Sequence, residues 1–233
     1  MKKIITSGLI IIIIFFTSCE KKITDLEFEK NVMTEIFPSL IDSTCIDVRL
    51  FANFPPEYGE SIFDNTGHYI GVDSTKATLE QKRKLLEWKI NTEKIKNDTS
   101  KIIIAFNPVL KNDSQDLKDD FEKHFKNAKI FILKEKTESE YRFEFKNIKL
   151  NNKFELRDIS QFPKGRAIWE KKYDFVFSGA VFFSRIQFDK DKKFGILDGG
   201  FACGRLCGQG FRIYIKKVNN KWIIDEVEGT WVS

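Results

Sequence analysis

The feature that most limits what this chain can fold into is a change of hydrophobic period near residue 130: capped helical segments precede it and alternating segments follow. Thr24 with Glu27, and Thr78 with Gln81, read as capping boxes. Phe28, Val32 and Ile36 follow the first at helical spacing, and Pro38 is expected to end or kink that helix. The second opens a helix to about Lys96, with Leu79, Leu86 and Ile90 on one side and Leu85, Trp88 and Ile95 beside them. That apolar face is of the kind that packs on a core. Asp113 or Ser114 caps a third helix, with Asp116, Asp119 and Asp120 early and Lys123, Lys126 and Lys129 late, as the helix dipole favours. Leu117, Phe121, Phe125 and Ala128 would form its buried stripe.

Ile46 to Phe51 fits a strand, residues 54–77 an irregular loop, and Ile102 to Phe106 a short buried strand. Ile130 to Leu133, Tyr141 to Leu150 and Lys153 to Asp158 then alternate, with Asn151 and Asn152 as a tight turn between the last two. Residues 164–174 admit a short helix around Trp169. The remainder reads as an antiparallel meander over Val181 to Phe188, Phe194 to Leu197, Phe211 to Val218 and Trp222 to Val232, turning at Asp189 to Lys192 and at Asn219 and Asn220. The expected class is α+β, with helices mainly in the N-terminal half packed on an antiparallel sheet that ends in a C-terminal β-meander.

The first residues speak of location. Lys2 and Lys3 precede an apolar run, Ile4 to Phe16, only thirteen residues long and interrupted by Thr6, Ser7 and Gly8. A spanning helix needs ~20 apolar residues, so the run reads as a secretory signal. Phe16, Thr17, Ser18 and Cys19 resemble the lipobox of bacterial lipoproteins, with Phe16 where Leu is usual. That resemblance implies acylation of Cys19 as the mature N-terminus. It divides the chain into a removable signal over 1–18, a short tether over 19–23 and one α+β domain over 24–233, anchored to a membrane but not embedded in it. Residues 20–23 reach ~14 Å when fully extended, which keeps the body close to the bilayer.

Without residues 1–18 the formal charge falls from +5 to +3, and Lys, Glu and Asp are interleaved along the chain. Nucleic-acid binders concentrate a basic face; no nucleic-acid partner is expected here. Outside the cytoplasm thiols tend to pair. With Cys19 assigned to lipid, Cys45, Cys203 and Cys207 remain, an odd number that leaves one thiol over.

Residues 199–210, G-G-F-A-C-G-R-L-C-G-Q-G, hold five of the thirteen glycines and two of the four cysteines. Read as a glycine-rich loop, they must turn or approach neighbours in ways other residues resist. Cys203 and Cys207 can clamp this loop as a local disulfide, the reading preferred on compartment grounds. They also fit metal ligation, with two ligands from Cys45, His68, His124 or distant carboxylates, or a redox pair beside Arg205. Arg205 is a candidate for completing an anion-binding nest, although neither standard phosphate-loop glycine pattern is present.

Residues 179–233 resemble the C-terminal part of an uncharacterised family of bacterial exported proteins and lipoproteins. The residues that carry the likeness are Ser184, the C-G-R-L-C-G-Q-G stretch, Lys221 with Trp222, and the ending Trp231, Val232, Ser233; Ile36 to Arg49 resembles the early part of some members more loosely. The resemblance implies membership and a two-membrane envelope, and no activity.

Other chemistry is sparse. His124 reads as a helix-surface partner for Asp120, His68 as a loop histidine near Asp64 and Asp73, and Trp222 and Trp231 as core. No nucleophile elbow occurs. No catalytic residue, metal site or cofactor is assigned. The expectation is a lipid-anchored envelope protein, on the outer membrane or the periplasmic face of a membrane, that binds an envelope protein or small ligand. The alternative is an envelope enzyme: a thiol oxidoreductase using Cys203 and Cys207, or a carboxylate-based hydrolase.

Overall fold

Burial of the Ile102–Phe106 run organises the architecture. The computed structural model describes residues 23–112, 117–126, 128–130, 140–150 and 153–233. Within these, β3 (Ile102–Lys111) is central, its first five residues at most 2% exposed. β5 (Phe154–Asp158) and β6 (Val176–Ser184) flank it in parallel, and β4 (Glu140–Arg142) pairs antiparallel with its far end. Beyond β6 the sheet is antiparallel through β8 (Phe194–Gly204), β9 (Cys207–Val218) and β10 (Lys221–Val232), with the short β7 (Gln187–Phe188) on β8. The class is α+β, with N-terminal helices and a C-terminal β-meander.

Alternation of side chains splits the sheet's faces. One face is covered by α1 (Asp25–Thr44), whose Val32, Met33, Ile36, Phe37, Leu40 and Ile41 pack on even positions of β3 and on Leu197, Phe201 and Ile213. The other carries α4 (Lys118–His124), packed through Phe121 on Ile196 and Tyr214, and α5 (Ala167–Glu170), packed through Ile168 over Ile103 and Ala105. Parallel neighbours demand a crossover, and the segment holding α5 supplies it between β5 and β6.

Several expectations hold. Both capping boxes form, at Thr24–Glu27 and Thr78–Gln81. Asn219 and Asn220 turn with φ of 49° and 63°, and α5 includes Trp169. Others are corrected. Pro38 does not end α1, which runs through it to Thr44. A proline inside a helix costs ~3 kcal/mol, and the buried Ile36, Phe37, Leu40 and Ile41 around it offset that, at ~1.5–3 kcal/mol each. Ile46 to Phe51 is no strand: the Asp47 carboxylate accepts from Arg49 N at 3.1 Å and caps the short helix α2 (Val48–Phe51).

The loop expected over 54–77 contains a hairpin, β1 (Glu60–Phe63) with β2 (Tyr69–Asp73). Its turn is set by Asp64, which accepts from the backbone of Thr66 and His68, and by Gly67 at φ 84°. The third helix is α4, shorter than expected, with Leu117 at its N-cap and no side-chain cap hydrogen bond; the expected caps Asp113 and Ser114 lie outside the described residues. Ile130 makes one bridge to Asp189, and 131–133 lie outside the described residues. Tyr141 to Leu150 is strand only over β4, and β5 pairs with β3 instead of folding back on β4. Asn151, Asn152 and everything from Met1 to Lys22, Cys19 included, also lie outside the described residues.

Candidate functional site

The stretch expected as a glycine-rich loop is mostly strand: only Arg205 and Leu206 turn between β8 and β9. None of its five glycines has a left-handed φ. What they provide is room. A Cβ at Gly199 would sit 2.6 Å from the Phe183 ring, one at Gly200 2.7 Å from the Phe182 ring, and one at Gly210 would collide with the Trp231 indole. Phe182, Gly200, Gly210 and Trp231 are successive register partners across four strands. The row therefore lies on one face, with an aromatic ring over each glycine. Trp231 and Phe182 are each 47% exposed, so Trp231 is not core, whereas Trp222 is buried.

Ser233 closes the module by exchanging both backbone hydrogen bonds with Gly208, at 2.9 and 3.2 Å. Cys203 and Cys207 are joined at the hairpin end with Cα atoms 5.1 Å apart. A loop this short contributes ~2 kcal/mol in the chain-entropy model, so the bond mainly holds the register beside the aromatic row. Arg205 is exposed at the tip. Among the described residues Cys45 is the free thiol, buried against the α1 cluster and pushed up to about 12 by that burial. Among the described residues no three His, Cys, Asp or Glu side chains converge to hold a metal.

His124 does not pair with Asp120. Its ring stacks on Tyr214 at 3.8 Å between centroids, with Nε2 3.1 Å from Asp225 and Nδ1 3.4 Å from Glu226. A bulge between Ile224 and Glu226 lets two consecutive carboxylates reach the same ring. Asp225 also meets Lys216 at 2.6 Å; burial raises its carboxyl, but Lys216 and His124 outweigh that and hold it below the usual range. Burial and then Glu228 push the Tyr214 phenol up to about 12. Asp120 pairs instead with Arg212, which also holds Asp198 at 2.9 Å. Both imidazole nitrogens face carboxylates, so the cluster clamps α4 to the sheet. His68 is a surface residue, hydrogen-bonded to Thr66 Oγ1 at 2.6 Å in the hairpin turn, and Asp73 is apart from it, capping a turn of its own.

The largest departure concerns α3 (Leu79–Asn97). At 100° per residue Leu85, Trp88 and Ile95 share one side with Gln81 and Thr92, and Leu79, Leu86 and Ile90 lie opposite. The first side is half-buried on the preceding chain: Trp88 Nε1 donates to Asn53 O at 2.8 Å and Gln81 Nε2 to Gly59 O at 3.1 Å. The second faces solvent, with Leu79, Leu86 and Ile90 exposed by 86, 59 and 61%. The adjoining hairpin β1–β2 likewise exposes Ile62, Phe63, Tyr69, Ile70 and Val72.

Compared with known proteins, the chain matches no family model, no curated protein and no solved structure.

Proposed function

We propose that this chain is a lipid-anchored cell-envelope protein whose α+β body works by docking on a partner surface. The observation that carries the docking part is the outward apolar side of α3, together with the exposed apolar side chains of the hairpin next to it in the chain. Large exposed apolar patches mark interaction sites. A two-stranded hairpin is marginal in water on its own, so this one gains from being covered. The envelope part is supported by the short leader, the lipobox-like Phe16 to Cys19 and the joined Cys203 and Cys207, a pairing that suits an oxidising compartment.

Metabolic labelling with a palmitate analogue, followed by fractionation, tests the anchor. The intact chain is expected to be labelled and membrane-associated, and the Cys19→Ser variant unlabelled. An unlabelled intact chain found inside the cell with residues 1–18 attached overturns the reading.

A further inference from the structure

We infer that the outward side of α3 lies on an anionic membrane surface, with the β1–β2 hairpin entering the interface beside it. This deepens the docking reading above and rests on it for the compartment.

Charge decides the partner. α3 carries six Lys and Arg against three Glu. On the wheel Lys82, Lys89 and Lys96, seven apart, run along one edge of the Leu79–Leu86–Ile90 stripe with Glu93 beside them, and Arg83 and Lys94 run along the other next to Glu87. All five cations are exposed. The three Glu of α3 are already engaged, Glu80 and Glu87 by Arg83 at 2.8 and 2.6 Å and Glu93 by Lys96 at 3.0 Å. Lys82, Lys89 and Lys94 make no ion pair among the described residues. An apolar stripe edged on both sides by cations is the pattern of a helix lying in the headgroup plane.

The hairpin adds exposed apolar side chains beside α3 but no cationic edge, since it carries Glu60, Asp64 and Asp73 with Lys76 as the one Lys or Arg next to it. It adjoins the start of α3 through Gln81 with Gly59 and through Lys76 with Glu60 at 2.9 Å. Phe63 and Tyr69, in edge contact at 6.1 Å, are 58 and 60% exposed, and such aromatic side chains favour the membrane–water boundary. A protein groove would have to offer anionic groups along two parallel lines about one helix width apart, whereas a phosphatidylglycerol-rich surface does so everywhere.

The test is co-sedimentation of a chain starting at Glu20, which keeps every described residue and carries no lipid, with vesicles of phosphatidylglycerol and phosphatidylcholine or of phosphatidylcholine alone. Binding to the anionic vesicles is expected, weakened by salt. It should drop about tenfold or more both in Lys82→Glu/Lys89→Glu and in Leu86→Glu/Ile90→Glu, given ~1 kcal/mol per cation near the surface. The substituted side chains are solvent-exposed, and thermal unfolding confirms that each variant is folded. Equal binding to neutral vesicles, no binding to anionic ones, or unchanged binding by folded variants overturns the inference. Acylation of Cys19 plays no part in this measurement, so its outcome is separate from that of the labelling experiment.

Discussion

The Trp231 indole occupies the space that a Cβ at Gly210 would need. The two residues are register partners on β10 and β9, just past a bulge between Gly229 and Trp231. Gly210→Ala is therefore expected to destabilise by about 1–3 kcal/mol through overpacking. Trp231→Ala should remove the larger part of that penalty, since the indole makes the two nearest contacts and Thr230 Oγ1, at 2.6 Å, makes the third. In urea unfolding the double variant should depart from additivity by about 0.5 kcal/mol or more. Additive losses would mean that the ring does not rest on the glycine in solution.

A buried ion pair ties α1 to the strand end after β6. Glu29 is 3% exposed, and Arg185 meets it through two nitrogens, the closer at 2.6 Å, while Ile186 N donates to the same carboxylate at 3.0 Å. Removing one partner of such a pair strands the other charge. Arg185→Ala is expected to cost about 3–5 kcal/mol, and replacing both with Leu and Met much less. Equilibrium unfolding of the three proteins checks this, and a double variant as unstable as Arg185→Ala would contradict it.

Local chemistry was legible in the residues and distant pairing was not. The Thr24 and Thr78 caps, the Asn219–Asn220 turn and the buried Ile102 run each depend on neighbours within a few positions, and each is found. Which strands β3 pairs with, and that Asp225 reaches His124 across 101 positions, depend on where the chain returns. The glycines of 199–210 announced a tight place without saying whether it was a turn or a strand under aromatic rings. In α3, Leu79, Leu86 and Ile90 lie opposite Trp88, so the helix has two apolar sides and only one of them meets the rest of the chain. Nothing within the helix says which side the rest of the chain covers.

The thiols give a count. Alkylation of the chain starting at Glu20 should add no label in the native state, since Cys45 is buried with its thiol pushed up to about 12 and Cys203 and Cys207 are joined. Unfolding without reductant should add one label, and unfolding with reductant three. Intact-mass spectrometry reads these numbers directly. Three labels without reductant would dissolve the cystine, and one in the native state would place Cys45 at the surface.

Asp47 links α2 to β5's approach and titrates with consequence. Its carboxylate is held by Arg49 at 3.0 Å and by Lys153 at 2.6 Å. Burial works against the charge, but the hydrogen bonds from Arg49 and Lys153 outweigh it and leave the carboxyl below its usual value. A carboxyl lowered in the folded state contributes stability above its unfolded value of about 3.9, and loses it as pH falls through the folded value. Asp47→Asn should thus be less stable than the parent by roughly 1–3 kcal/mol at neutral pH. The gap should persist down to about pH 5 and narrow progressively below about pH 4. Comparing parent and variant cancels the other carboxyls that titrate in the same range, Asp158 and Asp225 among them. Urea midpoints at pH 7, 5 and 3 measure it, and a gap that stays constant down to pH 3 would show that Asp47 owes its place to packing and not to its charge.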